Sequence, residues 1–73
     1  MELKKNGLYV LDIEYPLEME TETRIVKDRV FGIVRDRENC YFKGMVIDDD
    51  DTMIMTKEEC ESWVKSAREV TDY

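Results

Sequence analysis

The sequence predicts an α+β domain: an antiparallel four-stranded meander with one C-terminal helix packed on one face. Three observations carry this expectation. Apolar and polar residues alternate along the first part of the chain. Polar turn clusters then separate short runs rich in β-branched and aromatic residues. A helix-opening signal stands at Thr56, followed by an apolar stripe at helical spacing. The strands pair antiparallel because a parallel crossover needs about a dozen residues or more, and the connections are shorter. The 73 residues, 1–73, make one small domain.

The first strand spans about 8–15. Tyr9, Leu11, Ile13 and Tyr15 form one face, which Leu17 and Met19 continue, while Leu8, Val10, Asp12 and Glu14 form the other. Pro16 cannot donate a ladder hydrogen bond, so the strand ends there or lies at a sheet edge. Residues 18–22 read as a polar hairpin tip. The second strand spans about 23–35. Its apolar residues come in adjacent pairs (Ile25/Val26, Val30/Phe31, Ile33/Val34), which requires two covered faces or a bulge near residues 27–29. Residues 36–39 form a polar turn, and a third strand over 40–47 follows, in which Gly44 marks a bulge or a close backbone approach. Residues 48–51 make a tight turn into a fourth strand over 52–55.

Thr56 and Glu59 have the spacing of a capping box, with Met55 and Cys60 as its hydrophobic staple. Cys60, Trp63, Val64, Ala67 and Val70 then share one helical stripe. Lys57/Glu61, Glu61/Lys65 and Lys65/Glu69 are opposite charges four apart, and the spacing predicts a helix over about 57–70.

The charge bounds the function. Asp plus Glu number 18 against 11 Lys plus Arg, a net charge of −7, and there is no histidine. Histidine-based acid–base or nucleophilic catalysis is excluded, and so is a histidine-bearing zinc site. A net acidic chain is also a poor ligand for phosphate backbones, so no direct nucleic-acid binding is expected. No apolar run approaches the roughly 18 residues of a membrane span. The lysines near the N-terminus lack an apolar signal core behind them. Cys40 and Cys60 are therefore expected as free thiols in a reducing cytoplasm, packed as small hydrophobes, with a disulfide open only if their Cα atoms lie within about 7 Å.

Charge is also segregated along the chain. Asp48, Asp49, Asp50 and Asp51, followed by Glu58 and Glu61, are the expected partner-binding residues, an acidic contact surface for a basic patch on another protein. Asp48, Asp50, Thr52, Ile54, Thr56 and Glu59 fall at calcium-loop spacing, but Met53 stands where that loop needs glycine and a strand precedes it, so no metal is expected. Arg24, Lys27 and Arg29 are an alternative ligand-binding set for a small anion such as a nucleotide held between subunits; their simpler role is pairing across strands with Asp12 and Glu14. Asp12 and Glu14 share a face, yet no glycine-rich phosphate loop or activated nucleophile accompanies them. No enzyme and no cofactor are expected. One helix covers one sheet face, so the second apolar face must meet another chain or remain an interaction patch; a two-fold homodimer is the expectation.

In size, net charge, strand-rich body and the short terminal helix opened by Thr56, Lys57, Glu58 and Glu59, the whole chain resembles the small acidic accessory proteins encoded by bacteriophages. The resemblance implies a non-enzymatic inhibitor of a host enzyme or antiviral defence protein that occludes a basic surface. Members of this type that sequester signalling nucleotides imply the alternative, a small-molecule binder.

Overall fold

The alternation along residues 8–18 makes one strand face apolar, and that face becomes the inside of the sheet. The computed structural model describes residues 2–71; Met1, Asp72 and the aromatic Tyr73 lie outside it. The elements are β1 (Leu8–Glu18), β2 (Thr23–Arg37), β3 (Cys40–Val46), β4 (Thr52–Met55), α1 (Lys57–Trp63) and β5 (Val64–Glu69). They form one antiparallel sheet in the order β4-β3-β2-β1-β5, so β4 and β5 are its opposite edges. The chain passes from one edge to the other through α1, which therefore lies across the sheet between them. The α+β class and the antiparallel meander hold, with a fifth strand added.

The core lies between α1 and the inner face of the sheet. Leu11 and Ile13 from β1, Val30 and Val34 from β2, Phe42 and Val46 from β3, Met55 from β4, Cys60 from α1 and Val64 from β5 are all buried there. Trp63 closes one end of this layer with its ring centroid 5.0 Å from that of Tyr15. Two glycines shape the middle. Gly32 and Gly44 sit directly opposite each other on β2 and β3. A Cβ on Gly32 would lie 2.5 Å from the Gly44 Cα, and one on Gly44 would lie 2.6 Å from the Phe31 carbonyl oxygen and 2.9 Å from the Phe42 ring. The backbones approach closely because neither residue carries a side chain, and the Phe42 ring covers the gap.

The capping box forms as its spacing dictates. Thr56 Oγ1 accepts from the Glu59 N–H at 3.1 Å, and the Thr56 N–H donates to Glu59 Oε1 at 3.0 Å. Both staple residues, Met55 and Cys60, are buried. The helix, however, ends at Trp63, and the segment expected as its second half is β5. Residues 9–13 of β1 carry the fully buried Leu11 and Ile13, and their outer backbone groups need partners. Residues 64–69 supply them by pairing antiparallel with β1. This requirement overrides the weak helix preference of Ala67, Arg68 and Glu69. Glu69 accordingly pairs with Lys4 at 3.2 Å rather than with Lys65 one turn away.

Three smaller expectations are corrected. The ladder between β1 and β2 runs unbroken through residues 27–29; register shifts occur instead between Val34 and Arg37 and between Asp12 and Ile13. The adjacent apolar pairs of β2 arise because one of each pair faces the core and the other the open face, not because both faces are covered. Leu17 and Met19 do not continue the buried face but are exposed, whereas Pro16 lies on a free edge, one of its two expected placements, and β1 runs past it to Glu18.

Phe42→Ala should cost about 3–5 kcal/mol, a large share of the roughly 5–15 kcal/mol that holds a small domain folded. Chemical denaturation should then show a native state only partly populated in water. Gly44→Ala should cost about 1–3 kcal/mol by overpacking, and Thr56→Ala about 1 kcal/mol by loss of the cap, both read as lowered melting temperatures.

Candidate functional site: the open face of the sheet

The side chains that point away from α1 fall into three rows across the sheet. The register places Leu8, Ile33, Lys43 and Ile54 in the first row and Arg68, Val10, Phe31, Met45 and Thr52 in the second. Ser66, Asp12 and Arg29 make the third, and Ile47 adjoins it through its N–H, which donates to the Arg29 carbonyl at 2.8 Å. No element among the described residues covers these rows. Phe31, Met45 and Ile54 are 43%, 48% and 51% exposed, and they join Leu8, Val10 and Ile33 into one apolar patch. Its surface dips by about 460 Å³ around Phe31, Gly32 and Met45. Lys43 and Arg68 stand within the rows, so two cations flank this patch.

A polar clasp borders the patch. Asp12 on β1 accepts from Arg29 Nε on β2 at 2.8 Å through Oδ1 and from Ser66 Oγ on β5 at 2.7 Å through Oδ2. One carboxylate thereby ties three strands. The Arg29 hydrogen bond first, and the Ser66 hydrogen bond second, hold the Asp12 carboxyl below its ordinary value. A general acid needs the opposite shift, so this carboxylate is set up as a fixed anion.

The structure separates the expected acidic surface into two parts. Asp48, Asp49, Asp50 and Asp51 occupy the turn between β3 and β4, whereas Glu58 and Glu61 lie on α1 at the other end of β4. Four residues of extended chain, about 13 Å, lie between them. Glu61 instead lines a depression with Leu3, Asp36, Tyr41 and Lys57 beside the turn between β2 and β3. The calcium spacing is spread in the same way, because Thr52 and Ile54 lie along a strand and do not curl back toward Asp48. Two of the aspartates have a backbone role: Asp48 (φ 77°) and Asp50 (φ 57°) are left-handed, a conformation that Asp tolerates better than most residues.

Two of the three basic residues are already paired locally. Arg29 is bound to Asp12, Arg24 Nε to Glu22 at 3.0 Å, and Lys27 lies opposite Glu14 in the ladder. An anion would have to displace these carboxylates. Cys40 and Cys60 are both free thiols; burial first, then Glu59 and Glu61, push the Cys60 thiol up to about 11. Tyr15 is raised by burial and by its hydrogen bond to Asp28 at 3.2 Å. The second apolar face expected from the sequence is present, but its six residues come from four strands and meet only through register. Among the described residues no helix is long and apolar enough to cross a membrane. No protein-family model matches the chain, and no curated protein or solved structure matches it.

The lowered folded value of Asp12 sets the sign of its pH dependence. Its contribution is full above the unfolded carboxylate value of about 3.9 and is lost as the pH falls through the lower folded value. Asp12→Asn should therefore flatten the fall of melting temperature in acid while lowering the melting temperature at pH 7. Cys60, held protonated, should resist a thiol reagent at pH 8 in the native protein and react once the protein is unfolded.

Proposed function

We propose that this chain is a non-enzymatic protein-binding module, an inhibitor of the kind phages direct against host enzymes or defence proteins, which docks through the open face of its sheet. The observation that carries this reading is the uncovered patch of Leu8, Val10, Phe31, Ile33, Met45 and Ile54 on a chain of net charge −7. A charged chain keeps such a patch out of aggregates, and the patch is worth retaining when another protein covers it. Phe31 at its centre has the character of an interface anchor: aromatic, set between Val10 and Met45 in its row, and flanked by polar groups.

The acidic turn has a separate task in this reading. Asp48, Asp49, Asp50 and Asp51 lie beyond the patch at the sheet's end and draw the module toward a basic region of the partner. Glu58 and Glu61 belong to the opposite end and take no part in that contact. Sequestration of a nucleotide by Arg24, Lys27 and Arg29 is the weaker reading, since Asp12 and Glu22 already hold two of these cations.

Capture from a bacterial lysate, with Phe31→Asp as the control, tests the proposal. The wild-type chain should retain a protein that Phe31→Asp loses, with affinity reduced by roughly 30-fold or more, the weight of an interface hot spot. With that protein in hand, replacing Asp49, Asp50 and Asp51 by Asn should slow association at low salt and leave dissociation unchanged. Equal retention by wild type and Phe31→Asp would remove the open face from the mechanism. A rise in melting temperature with nucleotides would move the assignment to the arginine strand.

A further inference from the structure

Among the described residues the sheet leaves several stretches of edge backbone unpaired, and their chemistry separates them. β1 and β2 extend past their outer neighbours, because β5 pairs with β1 only along residues 9–13 and β3 pairs with β2 only from residue 30 onward. Residues 14–18 and 23–28 therefore form a two-stranded ribbon. Pro16 lies on its β1 side and removes a donor there. Its β2 side is free only as far as residue 28, since the Arg29 carbonyl already accepts from the Ile47 N–H. The longest register that a second copy could adopt within that stretch centres on Ile25 and sets Glu22 against the second copy's Asp28; like charges directly opposite are unfavourable. β4 lies between the aspartates of residues 48–51 and the carboxylates of Glu58 and Glu59, so an antiparallel copy would lay acid against acid.

The outer edge of β5 is different. The Val70 N–H donates to the Leu8 carbonyl at 2.8 Å, so even-numbered residues at this end of β5 bond to β1. Ala67 and Glu69 therefore turn their backbone N–H and C=O groups away from the sheet, and Ala67 is exposed. Lys65 falls in the register shift between Asp12 and Ile13 and has no residue of β1 opposite it. It has no ion-pair partner among the described residues.

We propose that a second copy of this chain pairs antiparallel with this edge, centred on Ala67, so that the two five-stranded sheets become one. Backbone and charge fix the register. Outward groups must meet outward groups, so odd-numbered residues stand opposite odd-numbered ones and the two-fold axis passes through a residue pair. Centred on Ala67, Lys65 stands opposite the second copy's Glu69, and the same pair recurs across the axis. Ser66 stands opposite Arg68, and Val64 opposite Val70. Glu69 holds Lys4 through Oε1, which leaves Oε2 for the second ammonium. Centring on Arg68 would oppose two arginines. Centring on Ser66 would set Glu69 against Trp63, which belongs to α1, and would leave the charges unpaired.

The two-fold axis runs perpendicular to the sheet, so both open faces point the same way and both α1 helices lie on the opposite side. The dimer presents two docking patches side by side. A partner with two copies of the docking surface, spaced to match, is then held more tightly than one patch alone would hold it.

Sedimentation of the full chain tests the edge. Wild type should pass from monomer to dimer between micromolar and millimolar concentration, as suits a small interface. Ala67→Pro removes an outward N–H that makes no bond within the chain; it should raise the dimer dissociation constant roughly tenfold or more with an unchanged circular dichroism spectrum. Lys65→Glu sets carboxylate against carboxylate on both sides of the axis and should weaken the dimer by about the same factor. Lys65→Glu combined with Glu69→Lys should restore it. A wild-type monomer throughout, a dimer unaffected by Ala67→Pro or by Lys65→Glu, or a dimer abolished by Phe31→Asp would each overturn the proposal. Phe31→Asp remaining dimeric while losing the captured partner separates this interface from the docking face.

Discussion

The close approach of β2 to β3 at Gly32 and Gly44 is the constraint on which the rest of the structure depends. With no side chain at either position, the sheet draws inward at its centre, where any other residue would hold the strands apart. Phe42 fills the space and becomes the largest fully buried side chain. A helix of seven residues can then cover the inner face of a five-stranded sheet. That short helix has a firm start in the Thr56 and Glu59 cap, and its end is fixed by the need of β1 for an outer neighbour. Inside and outside thus follow from one local feature: what turns toward α1 is core, and what turns away is covered by no element among the described residues.

The parts of the fold that were legible in the sequence are those decided within a few residues. The capping box needs two residues three apart, the β1 alternation needs its neighbours, and the pairing of Asp12 with Arg29 follows once β1 and β2 are a hairpin. Gly44 announced a close approach, but its counterpart Gly32 was identifiable only through the ladder. β5 was not legible, because residues 64–69 satisfy a helical pattern locally and become a strand to meet a demand set at residues 9–13. The candidate site divides along the same line. The aspartates of residues 48–51 are conspicuous as a run, while the apolar patch depends on register among four strands. The joining of that run with Glu58 and Glu61 failed because β4, although only four residues long, is fully extended.

The molecule treats its exposed surfaces in distinct ways. β4 is kept to four residues, a length that offers little template to a foreign strand, and carboxylates stand beyond both of its ends. The β1 side of the ribbon carries a proline. Against these precautions the outer edge of β5 and the open face stand out, because neither flanking carboxylates, proline nor an overlying element among the described residues protects them. Their chemistry also differs: one offers backbone hydrogen bonds and alternating charge, the other apolar area beside Lys43 and Arg68. Two surfaces of different chemistry can be occupied together without competing for the same residues.

The attachment of β5 to β1 also determines the order in which the domain can assemble. β1 through β4 are joined by short turns, and each can find its neighbour locally and fast. The strand that completes the sheet pairs with the first strand made, and the clasp between Asp12 and Ser66 spans 54 positions. Until that closure the outer edge of β1 lies open beside the most deeply buried residues of the core. Folding therefore ends in one non-local step, whose rate is set by the entropy of bringing the two ends of the chain together rather than by the hairpins between them.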